Sequence, residues 1–155
     1  MKNLLIKQMQ FEHWANTELL KTLKQANPLN ERALLLFSHI NSANAIWLNR
    51  LNEVPVSSTL FQNRSLLECE QLLYANIENW TNYLEKVNEI ELERVLEFDF
   101  PIDGSKRSLP KKEAIFHITN HSSYHRGQII SLIKSNVEIL PMLGYVFFAS
   151  KIIEK

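Results

Sequence analysis

Three of the five histidines in this chain, His117, His121 and His125, fall within HITNHSSYHRGQ at residues 117–128. On an α-helix a step of four residues advances a side chain by about 40° and one turn, so the three rings crowd one side. Neutral imidazole is the commonest metal-donor side chain, and an i, i+4 pair can hold one divalent ion. On a helical wheel Ala114, Ile118, Ile129 and Leu132 form an apolar stripe; His121 and His125 fall within it, whereas His117 lies to the side with Tyr124 and Gln128. Two histidines directed into a core call for a partner. His39, on the flank of a second stripe built from Leu36, Ile40, Ala43, Trp47 and Leu51, is the natural third donor.

Three neutral imidazoles would leave a tetrahedral ion one open position, the arrangement of catalytic rather than structural zinc sites. Imidazole donors also suit nickel, iron and copper, and zinc or nickel is expected. Such an ion can lower the pKa of a bound water or activate a thiolate directly. In HEXXH metalloproteases the residue after the first histidine is a glutamate that acts as base. Here that residue is Ser122, so the metalloprotease reading fails. The candidate helpers are Glu12 and Asn16, which interrupt a stripe of Leu5, Met9, Leu20 and Leu23 and need partners if buried. Glu12 is the one inward carboxylate available to hydrolysis. His117 reads as a neighbour of the ligands rather than a ligand. His13 has no donor near it in sequence, and Arg126 is expected to pair with a carboxylate.

These side chains must be carried by helices. The chain has 155 residues, 45% of them hydrophobic and 22% charged, with only three glycines and five prolines. That is one ordinary helical domain, spanning residues 1–155. Seventeen basic residues balance seventeen acidic ones, which argues against nucleic acid or an anionic membrane as the main partner. The first twenty residues lack the apolar core and cleavage site of a signal peptide, and no apolar run approaches the roughly 20 residues that span a bilayer. With Cys69 the only cysteine, there is no disulfide framework, and a reducing, cytoplasmic setting is expected. Cys69 itself reads as an inert buried thiol.

Periodicity predicts a first helix over roughly 3–26, ended by Asn27-Pro28, and a second from an Asn30 cap to about Leu51. Residues 52–64 read as a loop crossing the end of a bundle. A third helix opens on the capping box Ser65-Leu66-Leu67-Glu68 and runs to about Asn88. Residues 89–109 hold the strand-like material, a small hairpin or irregular excursion around an Asp103-Gly104 turn. Pro110 then starts the fourth helix, which carries the histidines to about Asn136, and YVFFASKII forms a short closing helix. The fold expected is all-α: a four-helix bundle whose long crossover connections disfavour simple up-down-up-down order. Gly127, inside the fourth helix at a cost of roughly 1 kcal/mol against alanine, points to close approach of another backbone, within the bundle or across a homodimer.

NHSSYHRGQII resembles the signature of the DinB/YfiT-like superfamily. WAN at 14–16, a histidine in the second helix, the D-G turn before the last long helix and the final FF segment are similar as well. The resemblance implies a four-helix bundle, often a homodimer, with a three-histidine divalent metal site that carries over to His39, His121 and His125. It further implies either a transferase using a low-molecular-weight thiol such as bacillithiol or mycothiol, or a metal-dependent hydrolase. A stress-associated metal-binding bundle without turnover is the non-catalytic alternative. The ligand expected is a small-molecule substrate or thiol.

Overall fold

The computed structural model describes residues 1–56 and 59–154. Its long helices are α1 (Lys2–Gln25), α2 (Glu31–Leu51), α3 (Leu66–Lys86) and α5 (Lys111–Ile133); α4 (Glu89–Glu93) and α6 (Tyr145–Ala149) are short. Local chemistry sets the boundaries. The Asn30 side chain accepts from the Ala33 N–H at the start of α2. Ser65 and Glu68 close a reciprocal capping box at the start of α3. Strands β1 (Val95–Asp99) and β2 (Lys106–Pro110) pair antiparallel, Val95 opposite Pro110 and Asp99 opposite Lys106. Their turn contains Gly104 at φ 69°, a left-handed conformation that glycine adopts without steric cost. Sequence periodicity missed α4, whose single turn is too short to show a stripe. It also ran α5 three residues too far: beyond Ile133 the chain turns so that Asn136 accepts from the Asn27 N–H at 2.9 Å and donates to the Pro28 carbonyl at 3.0 Å. No helix among the described residues is long and apolar enough to cross a membrane.

Helices α3 and α5 each pack on both α1 and α2. Side-chain contacts give the directions. Asn76 donates to the Asn41 carbonyl and Trp80 to that of Asn44, so α3 runs parallel to α2. Lys24 pairs with Glu70 while Lys2 reaches the Glu85 carbonyl, so α1 and α3 are antiparallel. His39 meets His121, and Leu51 meets Lys111, so α2 and α5 are antiparallel. The order is up-down-down-up. Parallel neighbours cannot be joined by a tight turn, which is why residues 52–65 must travel the length of the bundle.

The core falls into two apolar clusters. One holds Leu5, Met9, Trp47, Trp80, Ile115 and Ile118. The other holds Leu19, Phe37, Ile40, Leu73, Ile129 and Ile133. Between them each long helix contributes buried polar residues: Glu12 and Asn16, Asn41 and Asn44, Asn76, and Ser122 and Arg126. Glu12 Oε2 accepts from Arg126 Nη1 at 2.6 Å, and its Oε1 accepts from Asn16 and Asn44 at 2.8 and 3.1 Å. Arg126 also donates to Asn16 Oδ1 and Ser123 Oγ. Three helices are thereby tied in one register by a buried network in which Glu12, Asn16, Asn44 and Arg126 find partners away from water. Cys69 is fully buried, and burial pushes its thiol pKa up, away from nucleophilic character.

Candidate metal centre

Helix α5 is fixed at its start by Lys111, a buried lysine that sequence reading passed over. Its ammonium donates to the Leu51 carbonyl at 2.8 Å and pairs with Glu91 and Glu53. Together with Arg126, the residue after His125, this sets the rotation of the helix. The buried face centres on Ile115, Ile118, Ser122, Arg126 and Ile129. It is turned slightly from the stripe read off the wheel, because Arg126 is drawn inward by Glu12 on α1. His121 and His125 therefore sit half-buried on the shoulder that faces α2, and Leu132 is likewise only half-buried.

From α2, His39 reaches that shoulder. Its Nε2 lies 3.1 Å from Nε2 of His121, and one nitrogen each of His39, His121 and His125 lie within 4.8 Å of one another. The outer nitrogens are held. His39 Nδ1 donates to the Leu60 carbonyl at 2.8 Å, and His125 Nδ1 donates to Gln128 Oε1 at 2.7 Å. These two rings thus turn Nε2 towards the cluster, the device that orients metal-ligating histidines. The connection after α2 supplies more: the Phe61 ring stacks on His39 at 4.1 Å and 5°. It is pinned there by Ser38 Oγ donating to the Gln62 carbonyl and by Arg64 donating to Ser38, Ser42 and the Gln62 side chain. Nothing in the spacing of residues 52–64 signals this; a lone phenylalanine in a polar loop is the only trace.

Burial lowers the pKa of His39, His117 and His121. His121 falls to about 3, through desolvation first and then the neighbouring His125, His39 and His117. His39 falls through desolvation, partly opposed by the Leu60 carbonyl. His117 falls through desolvation and the nearby Arg50. His39 and His121 are therefore neutral donors at physiological pH. The donor set fits a divalent ion: two imidazole nitrogens bound to one tetrahedral centre stand about 3.3 Å apart, close to the Nε2 separation seen. In addition, His121 Nδ1 is buried without a hydrogen-bond partner, so its ring is not committed to a structural network.

The three histidines line a cavity of about 720 Å³ whose walls are largely apolar, among them Ile46, Trp47, Val56, Phe61 and Ile102. His117 lines it too, its ring 5.0 Å from Trp47 and 5.6 Å from His121, but its nitrogens lie outside the converging group. Glu12 and Asn16 do not line it. Both are consumed in the buried layer around Arg126, so the structure does not bring them to the histidines. His13 is neither in the converging group nor on the cavity wall; burial lowers its pKa to about 4.

Among known proteins the DinB family model matches residues 4–143 of the chain. No curated protein and no solved structure gives a match. The matched span takes in the four long helices, all but the first two residues of α1, and all three converging histidines, and the chain belongs to the DinB family.

Proposed function

We propose that this protein is a metal-dependent transferase that acts with a low-molecular-weight thiol, bound in the cavity at His39, His121 and His125. When bound, a divalent ion supplies a positive charge uncompensated by its neutral ligands, which favours an anionic sulfur or oxygen donor. The observation that favours thiol transfer over hydrolysis is the lack of an interior carboxylate base beside the histidines among the described residues. Among the described residues the one carboxylate lining the cavity is Asp99, 85% exposed and 3.6 Å from Lys106. Glu12 has both oxygens engaged by Arg126, Asn16 and Asn44. A thiol needs no such base: its proton leaves to solvent, and the thiolate sulfur displaces a leaving group from an electrophilic carbon. Phe61, Trp47 and their apolar neighbours exclude water that would compete with the sulfur.

Cobalt substitution tests this reading. Titrating the cobalt-loaded protein with a small thiol is expected to produce a sulfur charge-transfer band in the near ultraviolet and to release protons in proportion to occupancy. His125→Ala should show neither. Full cobalt occupancy with no change at millimolar thiol would end the thiol-transferase reading.

Self-association is part of the same proposal. Gly127 is exposed, and a Cβ built there meets nothing within 4 Å. Close approach inside the chain, one of the two explanations for this glycine, is therefore absent among the described residues. A second copy seated over α5 is the other. Sedimentation should show a dimer in the wild type and a shift towards monomer in Gly127→Leu; a wild-type monomer at high concentration would remove the motive.

A further inference from the structure

Among the described residues the cavity wall contains one permanent cation, and its hydrogen-bonding capacity is almost unused. Arg50 projects from the last turn of α2, its guanidinium carbon 4.7 Å from the centre of the Trp47 ring and 4.8 Å from that of Phe98. The rings hold the group in place through cation–π attraction. Of the five N–H donors a guanidinium carries, the bond found among the described residues is one from Nη2 to the Asp99 carbonyl, at 3.3 Å. Arg94, Arg107 and Arg126 each have a carboxylate within ion-pair range. Arg50 has none among the described residues, although it is half-buried. A charge kept partly out of water with no carboxylate in ion-pair range is costly, and a planar fork with idle donors is suited to an oxyanion held through two parallel bonds, the planar carboxylate among them.

We propose that Arg50 is a binding residue for a carboxylate on the ligand of this cavity, at the end remote from the three histidines. The ligand is then an elongated anion: a carboxylate at Arg50, an apolar or extended middle against Trp47 and Ile102, and the reacting group at His39, His121 and His125. The rise along α2 from His39 to Arg50 is about 16 Å, shortened because the Arg50 side chain bends back over Trp47. An extended thiol with a distal carboxylate suits that separation better than a compact one. The inference rests on the reading of this cavity as the substrate site, but not on sulfur or on the metal.

The test uses the metal-free protein and probes without sulfur, so its failure is separable from that of the thiol reading. Calorimetric titration with octanoate and with 1-octanol compares an anionic and a neutral head on the same apolar chain. The wild type should bind octanoate at least tenfold more tightly than octanol. Arg50→Gln should lose that preference while its affinity for octanol stays unchanged, a control for the shape of the cavity. Arg50→Lys, which keeps the charge but not the fork, should restore part of the preference, and it serves alone if the glutamine variant does not fold. Equal binding of the two probes by the wild type overturns the proposal. So does an undiminished preference for octanoate in Arg50→Gln. If Arg50-dependent octanoate binding is found and cobalt-loaded protein ignores thiols, the thiol reading falls and the carboxylate site stands.

Discussion

His39→Ala, His121→Ala and His125→Ala are each expected to abolish stoichiometric divalent-metal binding, whereas His117→Ala keeps it. The asymmetry follows from geometry. The first three rings place a nitrogen each within 4.8 Å of the others. His117, one turn earlier on α5, packs at a tilt against Trp47 instead. Losing one of three donors should lower affinity by more than the roughly 10–100-fold that follows removal of a residue merely orienting a ligand. Calorimetric titration with zinc and nickel, supported by metal analysis after dialysis, reads the result directly. Equal loss in His117→Ala would overturn the ligand assignment. Retention in His39→Ala would show that the i, i+4 pair on α5 binds without α2.

Arg126→Met is expected to lower the free energy of unfolding by about 3–5 kcal/mol, the range for breaking a buried ion pair. The Arg126 and Glu12 side chains are 3% and 0% exposed, so removing the guanidinium strands a carboxylate where water cannot reach it. The same change removes the bonds to Asn16 and Ser123. The double variant Glu12→Met, Arg126→Met should recover most of the loss, because a similar volume of apolar side chain then fills the layer without an orphaned charge. Urea unfolding of the metal-free proteins measures both. A loss below about 1 kcal/mol for the single variant, the ordinary size of a point-mutation effect, would mean that the layer opens to water. The account of how α5 is rotated into place would then fail.

Much of this molecule is legible in one dimension because its signals are local. The Asn30 cap, the Ser65–Glu68 box and the Asp103-Gly104 turn each depend on residues within a few positions. The four long helices follow from stripes of period 3.6, and connection lengths already disfavour up-down-up-down order. His121 and His125 are neighbours on any helix, so their convergence needed only the helix. His39 was placed on the correct face by its own stripe, since periodicity reports which side of a helix turns inward.

Periodicity does not report what waits on that side, and this is where tertiary structure decided the site. Glu12 is inward as its position on the wheel demanded. Its partner, however, is Arg126, 114 residues away, and the pairing removes it from the cavity where a base for hydrolysis would have stood. That pairing also turns α5 so that Ser122 and Arg126, not the histidines, occupy the centre of the buried face. The Leu60 carbonyl that directs His39 and the Phe61 ring stacked on it come from a segment without period. They take effect only because the parallel placement of α2 and α3 forces that segment across the cavity. A sequence encodes the inward face of each helix through short-range spacing, whereas the partner met there depends on the rotation and order of all the helices together, which only long-range packing sets.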